Sequence, residues 1–296
     1  MPELPEVETV RRGLLQHVVG HKIARARVHH LRTVRRHEPG PSHLEQWLAG
    51  REVTAAERRG KFLWLRLDDD EDRAGGDVLL GHLGMSGQFR VTDQPLDAHP
   101  HLRMDLELHD GGWLSFVDQR TFGSVSGDVL RTDVAGSRLV PGRIAHLAAD
   151  PFEPVFDASL TAQRLRGRHT EVKRALLDPT LVSGIGNIYA DESLWRARVH
   201  PRRHTDRLRQ QLVRELLSAA HTVMDEALQQ GGTSFDALYV DVTGESGYFG
   251  RSLDVYGRED APCRRCRTPV RRLAFTNRSS YVCPRCQRGP RRPNRL

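Results

Sequence analysis

Apolar residues recur at helical spacing from the start of the chain. Leu4, Val7, Val10 and Leu14 predict a helix from about Glu3 to Leu15, with Glu3 and Glu6 placed favourably in its first turn. From Val53 to about Val129 the pattern changes to that of strands. KFLWLRL, DVLLGHL and GWLSFVD are short apolar runs, and HLRMDLEL puts Leu102, Met104, Leu106 and Leu108 on one face. The turn-forming stretches DDDEDRAGG, DQPLDAHP and HDGG separate them. This half predicts a β-sandwich preceded by a helix. Residues 135–154, richer in Pro, Gly and Asp, read as a linker. Helical segments follow in EVKRALLD and NIYADESLWRARV, joined through LVSGIGN. A long helix near Asp206–Gln230 then carries Leu208, Leu212, Val213, Leu216, Val223 and Leu228 on one stripe, and Gly231–Gly232 stop it. A glycine-rich loop, GGTSFDALYVDVTGESGYFG, leads to a C-terminal module, and the chain has no internal repeat.

Composition narrows the class. With 296 residues, 38% hydrophobic and 28% charged, the chain reads as an ordinary globular protein with room for more than one core. No apolar run reaches the length needed to cross a bilayer. The start, MPELPEVETV, has carboxylates where a secretory signal has lysines and a long apolar stretch, so a cytosolic location is expected. The net charge of +7 favours a polyanionic partner, although a solvated basic surface gives the same total. Position is more telling: basic residues cluster at Arg35–Arg36, Arg202–Arg203, Arg264–Arg272 and in the tail RGPRRPNRL.

All four cysteines lie near the C-terminus, as Cys263-x2-Cys266 and Cys283-x2-Cys286. Each CxxC forms a tight knuckle, and two knuckles converge four thiolates on one ion. Four thiolates close a tetrahedral zinc site with no open position for substrate, so one structural Zn2+ is expected. The intervening RTPVRRLAFTNRSSYV alternates like a β-hairpin and exposes Arg271, Arg272 and Arg278, which suits phosphate contact. Zinc ribbons also serve protein–protein contacts, so the module alone fixes no reaction.

Five motifs occur in order: PELPEVETVRRGL at the start, HLGMSG at 82–87, DQRTFG at 118–123, SGIGNIYADE at 183–192 and the paired CxxC. Together they span essentially the whole chain, which closely resembles the formamidopyrimidine-DNA glycosylase family of bacterial 8-oxoguanine repair enzymes. The resemblance implies an α+β multidomain fold: an N-terminal helix plus β-sandwich, a helix–two-turn–helix domain and a C-terminal β-hairpin zinc finger. On this reading residues 1–134 form the catalytic domain and 135–154 a linker. Residues 155–250 form the DNA-binding helical domain with a lesion-capping loop, and 251–296 the zinc finger and basic tail. The implied partner is damaged double-stranded DNA, bound by a monomer without membrane or obligatory protein partner.

The resemblance also assigns chemistry. A proline after Met1 favours removal of Met1, leaving a free secondary amine on Pro2. Such an amine can attack the sugar C1′, expel the base and form a cationic iminium that acidifies the C2′ proton. Excision followed by β- and δ-elimination is implied. Without the family, Pro2 would simply start a helix at its first position. Glu3 is the implied general acid, and Glu6, one turn on, would orient water or support Glu3. Lys61 matches a lysine that contacts phosphate and assists elimination; Arg278 matches the finger arginine of phosphate binding and δ-elimination.

An enzyme acting on a base must extrude it and fill the hole. Met85, Arg120 and Phe122 match the family's three intercalating residues, with Arg120 reading the orphaned cytosine. Asn187, beside Gly184 and Gly186 at a helix start, together with Arg168, Lys173 and His99, completes the implied DNA-contacting set. The family commonly has DPRRFG where this chain has Gln119 and Thr121, which predicts altered loop stiffness and bears on opposite-base selectivity. Three other readings are an endonuclease VIII-like enzyme for oxidised pyrimidines, a catalytically inactive DNA-binding paralogue and a zinc-ribbon interaction protein. The PELPE start, where endonuclease VIII usually has PEGPE, and the intact Pro2, Glu3 and Lys61 favour the first assignment.

Overall fold

Amphipathic spacing at the chain start becomes helix α1, Leu4–His17, whose Leu4, Val7, Val10 and Leu14 are all buried. The computed structural model describes residues 2–68, 75–232, 242–243 and 249–290. They fall into two units: Met1–His146 with Ala227–Gly250, and Leu147–Glu226 with Arg251–Leu296.

The first unit is a sandwich of two antiparallel sheets. One sheet orders β1 (Ile23–Val28), β6 (Leu102–Leu108), β7 (Trp113–Asp118) and β5 (Gly87–Thr92) as β1-β6-β7-β5. The other contains β2 (Val53–Arg59), β3 (Phe62–Leu67), β4 (Asp77–His82), β8 (Ser124–Thr132) and β9 (Leu139–Pro141), paired in that sequence. The alternation in β6 behaves as its pattern requires: Leu102, Met104, Leu106 and Leu108 are all buried. In β3, Leu63, Trp64 and Leu65 are all buried, as expected of a strand covered on both faces. Helix α1 and a second helix, α2 (Pro41–Leu48), contribute Val7, Leu14, Leu44 and Leu48 to the same apolar core.

Three features of the first unit depart from the sequence reading. Strand β1 and helix α2 were not expected. In β1 the alternate positions are Arg25 and Arg27, with Arg27 paired to Asp105 at 2.9 Å, so only Ile23 and Ala26 are fully buried apolar residues, with Val28 packed partly against the core. The segment 135–154 does not run free: β9 pairs with β8, and a 3-10 turn covers Gly142–Ile144.

The second unit contains α3 (Ala158–Arg166), α4 (Val172–Leu176), α5 (Asn187–Arg196) and most of α6 (Gln210–Gln229). Helix α6 starts later than its pattern suggested. Leu208 is buried but lies outside it, after a 3-10 turn at Thr205–Arg207, and Leu212 is only half-buried. Strands β10 (Arg271–Phe275) and β11 (Arg278–Val282) form the hairpin between the cysteine knuckles. Most of the expected lesion-capping loop and residues 291–296 of the tail lie outside the described residues.

Candidate functional site

Pro2 is buried immediately before α1, and Glu3, 2% exposed, is the helix N-cap. The Glu6 carboxylate reaches back to accept the Glu3 amide at 2.7 Å, satisfying one of the donors that a helix start leaves open. Both acids are thus tied to the helix start. Gly232 packs beside Glu6: a Cβ there would lie 3.3 Å from Glu6 Cγ and Oε1, and its φ of +89° also favours glycine.

Lys61 sits in the two-residue Gly60–Lys61 turn joining β2 to β3, where Gly60 has φ +57°. The turn is braced against α1 through Glu8. That carboxylate accepts from Arg11 (2.8 and 2.9 Å), Arg12 (2.9 Å) and Arg58 (3.1 Å). Burial raises the Glu8 pKa, but the surrounding guanidiniums outweigh it and bring the group down to about 2. On the other side of the turn, Phe62 packs against His82 with ring centroids 4.6 Å apart. Burial, then the charges of Lys61, Arg36 and Arg35, lowers the His82 pKa to about 4, so this imidazole is neutral near pH 7. Its Nδ1 accepts the Gly84 amide at 3.1 Å and so shapes the next loop.

Met85 and Phe122 are 37% and 40% exposed, against the default for large apolar side chains. Arg120 is also exposed, with its guanidinium 5.1 Å from the Phe122 ring centroid. These three side chains come from two loops, β4–β5 and β7–β8, and the fully buried Asp118 clamps the loops together. One carboxylate oxygen accepts Ser86 Oγ at 2.5 Å and the Arg120 amide at 3.2 Å; the other accepts the Gly123 amide at 2.7 Å. Ser86 Oγ also accepts the Arg120 amide at 3.0 Å. Arg35 donates to the Phe122 and Gly123 carbonyls at 3.1 and 2.7 Å. Gly84, at φ +64°, crosses so close that a Cβ would lie 2.5 Å from the Phe122 carbonyl carbon. Thr121, standing where the family has arginine, adopts φ +53°, an uncommon conformation for a β-branched residue. His99 is exposed in the loop before β6, its Nδ1 accepting the His101 amide at 3.1 Å.

In the second unit, Gly186 caps α5 and Asn187 is its first residue. Asn187 donates to the Ser279 carbonyl at 3.1 Å, joining the helix start to β11. Lys173, placed by the resemblance in the DNA-contacting set, lies inside the unit. It is fully buried, pairs with Asp191 at 2.7 Å and donates to the Ser279 carbonyl at 3.2 Å. Asp191 also accepts Ser280 Oγ at 2.6 Å and the Tyr281 amide at 2.9 Å. Glu192 next to it accepts the amides of Asp254, Val255 and Tyr256 at 2.8–2.9 Å. The acidic end of SGIGNIYADE therefore anchors the hairpin and the turn before it, a role the sequence reading missed. Arg278, exposed, opens β11 beside the Thr276–Asn277 turn, and Arg168 is exposed after α3.

The four cysteine sulfurs lie within 4.8 Å of one another. Cys266 Sγ is 3.4 Å from Cys283 Sγ and 3.5 Å from Cys286 Sγ, near the roughly 3.8 Å edge of a tetrahedron with Zn–S bonds of about 2.3 Å. The set fits a closed, structural Zn2+ site. Trp195 Nε1 donates to Cys263 Sγ at 3.4 Å, and Gln287 bridges the Cys283 amide and the Val199 carbonyl at 2.9 Å each. Among the described residues no helix is long and apolar enough to cross a membrane.

Comparison with known proteins covers all these parts. Residues 1–125 match the formamidopyrimidine-DNA glycosylase N-terminal domain, 147–237 its H2TH domain, and 261–289 the zinc finger found in FPG and IleRS. The formamidopyrimidine-DNA glycosylase of Rhodococcus jostii is 57% identical over 292 residues, covering 99% of this chain and 98% of its own. That of Salinispora arenicola is 55% identical over 293 residues, with 99% and 98% covered. The structure of Lactococcus lactis Fpg bound to abasic-site DNA superposes with a TM-score of 0.81 at 30% identity, covering 97% of this chain and 100% of that one. A MutM complex with carbocyclic 8-oxo-G DNA gives 0.81 at 31% identity, with the same coverage.

Proposed function

The chain belongs to the formamidopyrimidine-DNA glycosylase family, and from that premise we propose a bifunctional enzyme that excises oxidised purines from duplex DNA and cuts the strand through Pro2. The observation carrying this reading is the pairing, within one unit, of a buried Pro2–Glu3 chain start with a clamped wedge whose apolar tips stay exposed.

The Pro2 amine attacks C1′ of the damaged nucleotide while the glycosidic bond breaks; the base leaves with that bond's electron pair and takes up a proton, and the attacking nitrogen gives up its own. Glu3 protonates the ring oxygen as the sugar opens, and the amine becomes an iminium. That cation accepts the electron pair left when the C2′ proton departs, and the 3′ phosphate is expelled. A second elimination expels the 5′ phosphate, and water then releases the sugar fragment. Lys61 holds a phosphate near the lesion and assists elimination; Arg278 holds another. Glu6 fixes the Glu3 backbone and supports its carboxylate. Met85 and Phe122 fill the space of the extruded base, and Arg120 reads its former partner. Asn187, Arg168 and His99 contact the backbone, while Lys173 acts from beneath, supporting the Ser279 carbonyl beside Asn187. Zinc supplies folding free energy to the finger and takes no part in the reaction. The boundaries proposed from sequence (1–134, 155–250 and 251–296) serve these functional blocks, with the monomeric protein acting on DNA in the bacterial cytosol.

Borohydride trapping on a duplex with 8-oxoguanine opposite cytosine tests the proposal. Wild type is expected to give a covalent adduct and a nicked strand, Pro2→Gly to lose the adduct, and Glu3→Gln to excise slowly. Absence of both adduct and nicking with zinc-loaded, Met1-free protein would sink the purine assignment. Nicking confined to oxidised pyrimidines would favour the endonuclease VIII-like reading; binding without nicking would favour an inactive paralogue.

A further inference from the structure

The cysteine knuckles form part of a second cationic feature, separate from the hairpin tip. Arg198, Arg203, Arg265, Arg285 and Arg288 line a cleft of about 580 Å³. Its floor includes Cys266 and Cys286, the two half-buried members of the metal set. These arginines come from three segments that are distant in sequence: the end of α5 and the turn after it, the first knuckle, and the second knuckle.

Charge bookkeeping decides whether the cluster merely balances the metal centre. Zn2+ held by four thiolates carries a formal charge of roughly −2. Five guanidiniums exceed that by about three, so the centre cannot neutralise them all. Acidic side chains add little: Asp254 feels the charge of Arg265, but Arg196 and Arg264 act on it more strongly. Among the described residues none of the five arginines forms an ion pair. The nearby acids serve other cations: Asp254 pairs with Arg196 and Arg264, Glu226 with Arg196, and Glu171 with Arg174 and Arg202.

The walls are also organised. Arg265 lies 3.6 Å from the Trp195 ring centroid and donates to the Trp195 and Arg196 carbonyls at 2.5 and 3.2 Å. Arg198 has φ +56°, so the chain turns sharply as it leaves α5. Its backbone amide bonds the Trp195 carbonyl at 3.1 Å, which fixes that turn. A guanidinium offers a planar fork of donors matched to the paired oxygens of a phosphate.

We propose that this cleft is an anion site that takes a chain of two or three phosphates. Its volume lies within the range of about 300–1,000 Å³ typical of small-ligand sites. It is also distinct from the contact assigned to Arg278. The knuckles flank one end of the β10–β11 hairpin and Arg278 stands at the other, separated by strands of five residues, or about 16 Å. The same phosphate chemistry has two sources, a free polyphosphate chain or a nucleic-acid backbone.

Calorimetric titration of the zinc-loaded full chain with tripolyphosphate, at about 150 mM salt to screen diffuse attraction, tests the site. Saturable binding at one site is expected, weakened roughly tenfold or more in Arg203→Gln/Arg285→Gln/Arg288→Gln. Arg265 and Arg198 are left intact because their contacts shape the fold. Zinc content and unfolding temperature, measured on both proteins, verify that the finger is retained; if the triple variant loses zinc, Arg288→Gln alone replaces it. No saturable binding to wild type, or equal affinity in a variant that keeps zinc, overturns the proposal. A second titration uses wild type saturated with an abasic-analogue duplex. Retained tripolyphosphate binding identifies a free polyphosphate as the occupant, and its loss identifies the backbone of the bound DNA. The site does not depend on the lesion chemistry, so its failure leaves the glycosylase reading untouched.

Discussion

Asp118 in the first unit and Asp191 in the second hold comparable positions: each is a buried carboxylate beneath an exposed, cation-bearing tip. They are satisfied differently. Asp118 is met in the described contacts by a hydroxyl and two backbone amides, all neutral donors from the loops it joins. Asp191 is met by a hydroxyl, an amide and the ammonium of Lys173, itself fully buried. The hairpin above it also depends on four thiolates converging on a metal. Neutral donors hold the Asp118 carboxylate by hydrogen bonds that favour its charged form. The ionic anchor is harder to disturb, but removing one partner leaves a buried charge unmatched.

Removing zinc should break the comparison most completely. Stripping the metal, or replacing Cys283 with Ser, is expected to unfold the finger and weaken DNA binding on the order of a hundredfold or more, because metal affinity and folding are one free energy here. Hydrogen exchange mapped along the chain checks this: protection should vanish around β10–β11 and persist in β3 and β7. Loss of protection in both units alike would contradict it. Next in size is Lys173→Met, which strands Asp191 and should cost about 3–5 kcal/mol. The midpoint of urea unfolding measures the loss, and a shift under about 1 kcal/mol would mean that Asp191 takes up a proton cheaply.

How much of this was readable in sequence differs between the two anchors. The helix α1 stripe, the β6 alternation and the paired CxxC were legible because periodicity and ligand spacing are local signals. The clamp was not, although Asp118 lies inside DQRTFG and Ser86 inside HLGMSG. Sequence does not distinguish a carboxylate turned inward to collect amides from one at a loop tip. Lys173 misled for a related reason: its partner comes from α5, and only the tertiary fold brings the two together. Strand β1 was hidden because its arginines find Asp105 and Glu107 across the sheet, so polar positions there carry cross-strand pairing.

A smaller effect is expected at the neutral-donor anchor. Asp118→Asn keeps the shape but turns one acceptor into a donor facing the Ser86 hydroxyl or the loop amides, at a cost of about 1–3 kcal/mol. The sharper readout is discrimination between cytosine and adenine opposite the lesion, which should fall because Met85 and the Arg120–Phe122 loop no longer share one anchor. Unchanged discrimination in a destabilised variant would limit Asp118 to a structural role. At neutral pH the smallest effect expected is at His82. Its folded pKa near 4 lies below the ordinary histidine value of 6.5, so between those values the unfolded chain binds more protons. The stability it contributes is complete above about pH 6.5 and is lost as pH falls toward 4. His82→Asn should flatten the fall in unfolding temperature between pH 7 and 5; an identical slope in both proteins would rule this source out.

Gly13 gives the first unit a particular order of assembly. Its Cα faces Val242 so closely that no side chain fits between them, and the Val242 carbonyl accepts the Val91 amide at 2.9 Å. Helix α1 is among the first segments to leave the ribosome, yet one of its packing partners is made only after the entire helical segment from Leu147 to Glu226. A nascent chain that stops short of Val242 carries helix α1 without the contact that covers Gly13. Assembly of this unit is therefore late and long-range, which ties its completion to near-complete translation and makes C-terminal truncations costly to the opposite end of the chain.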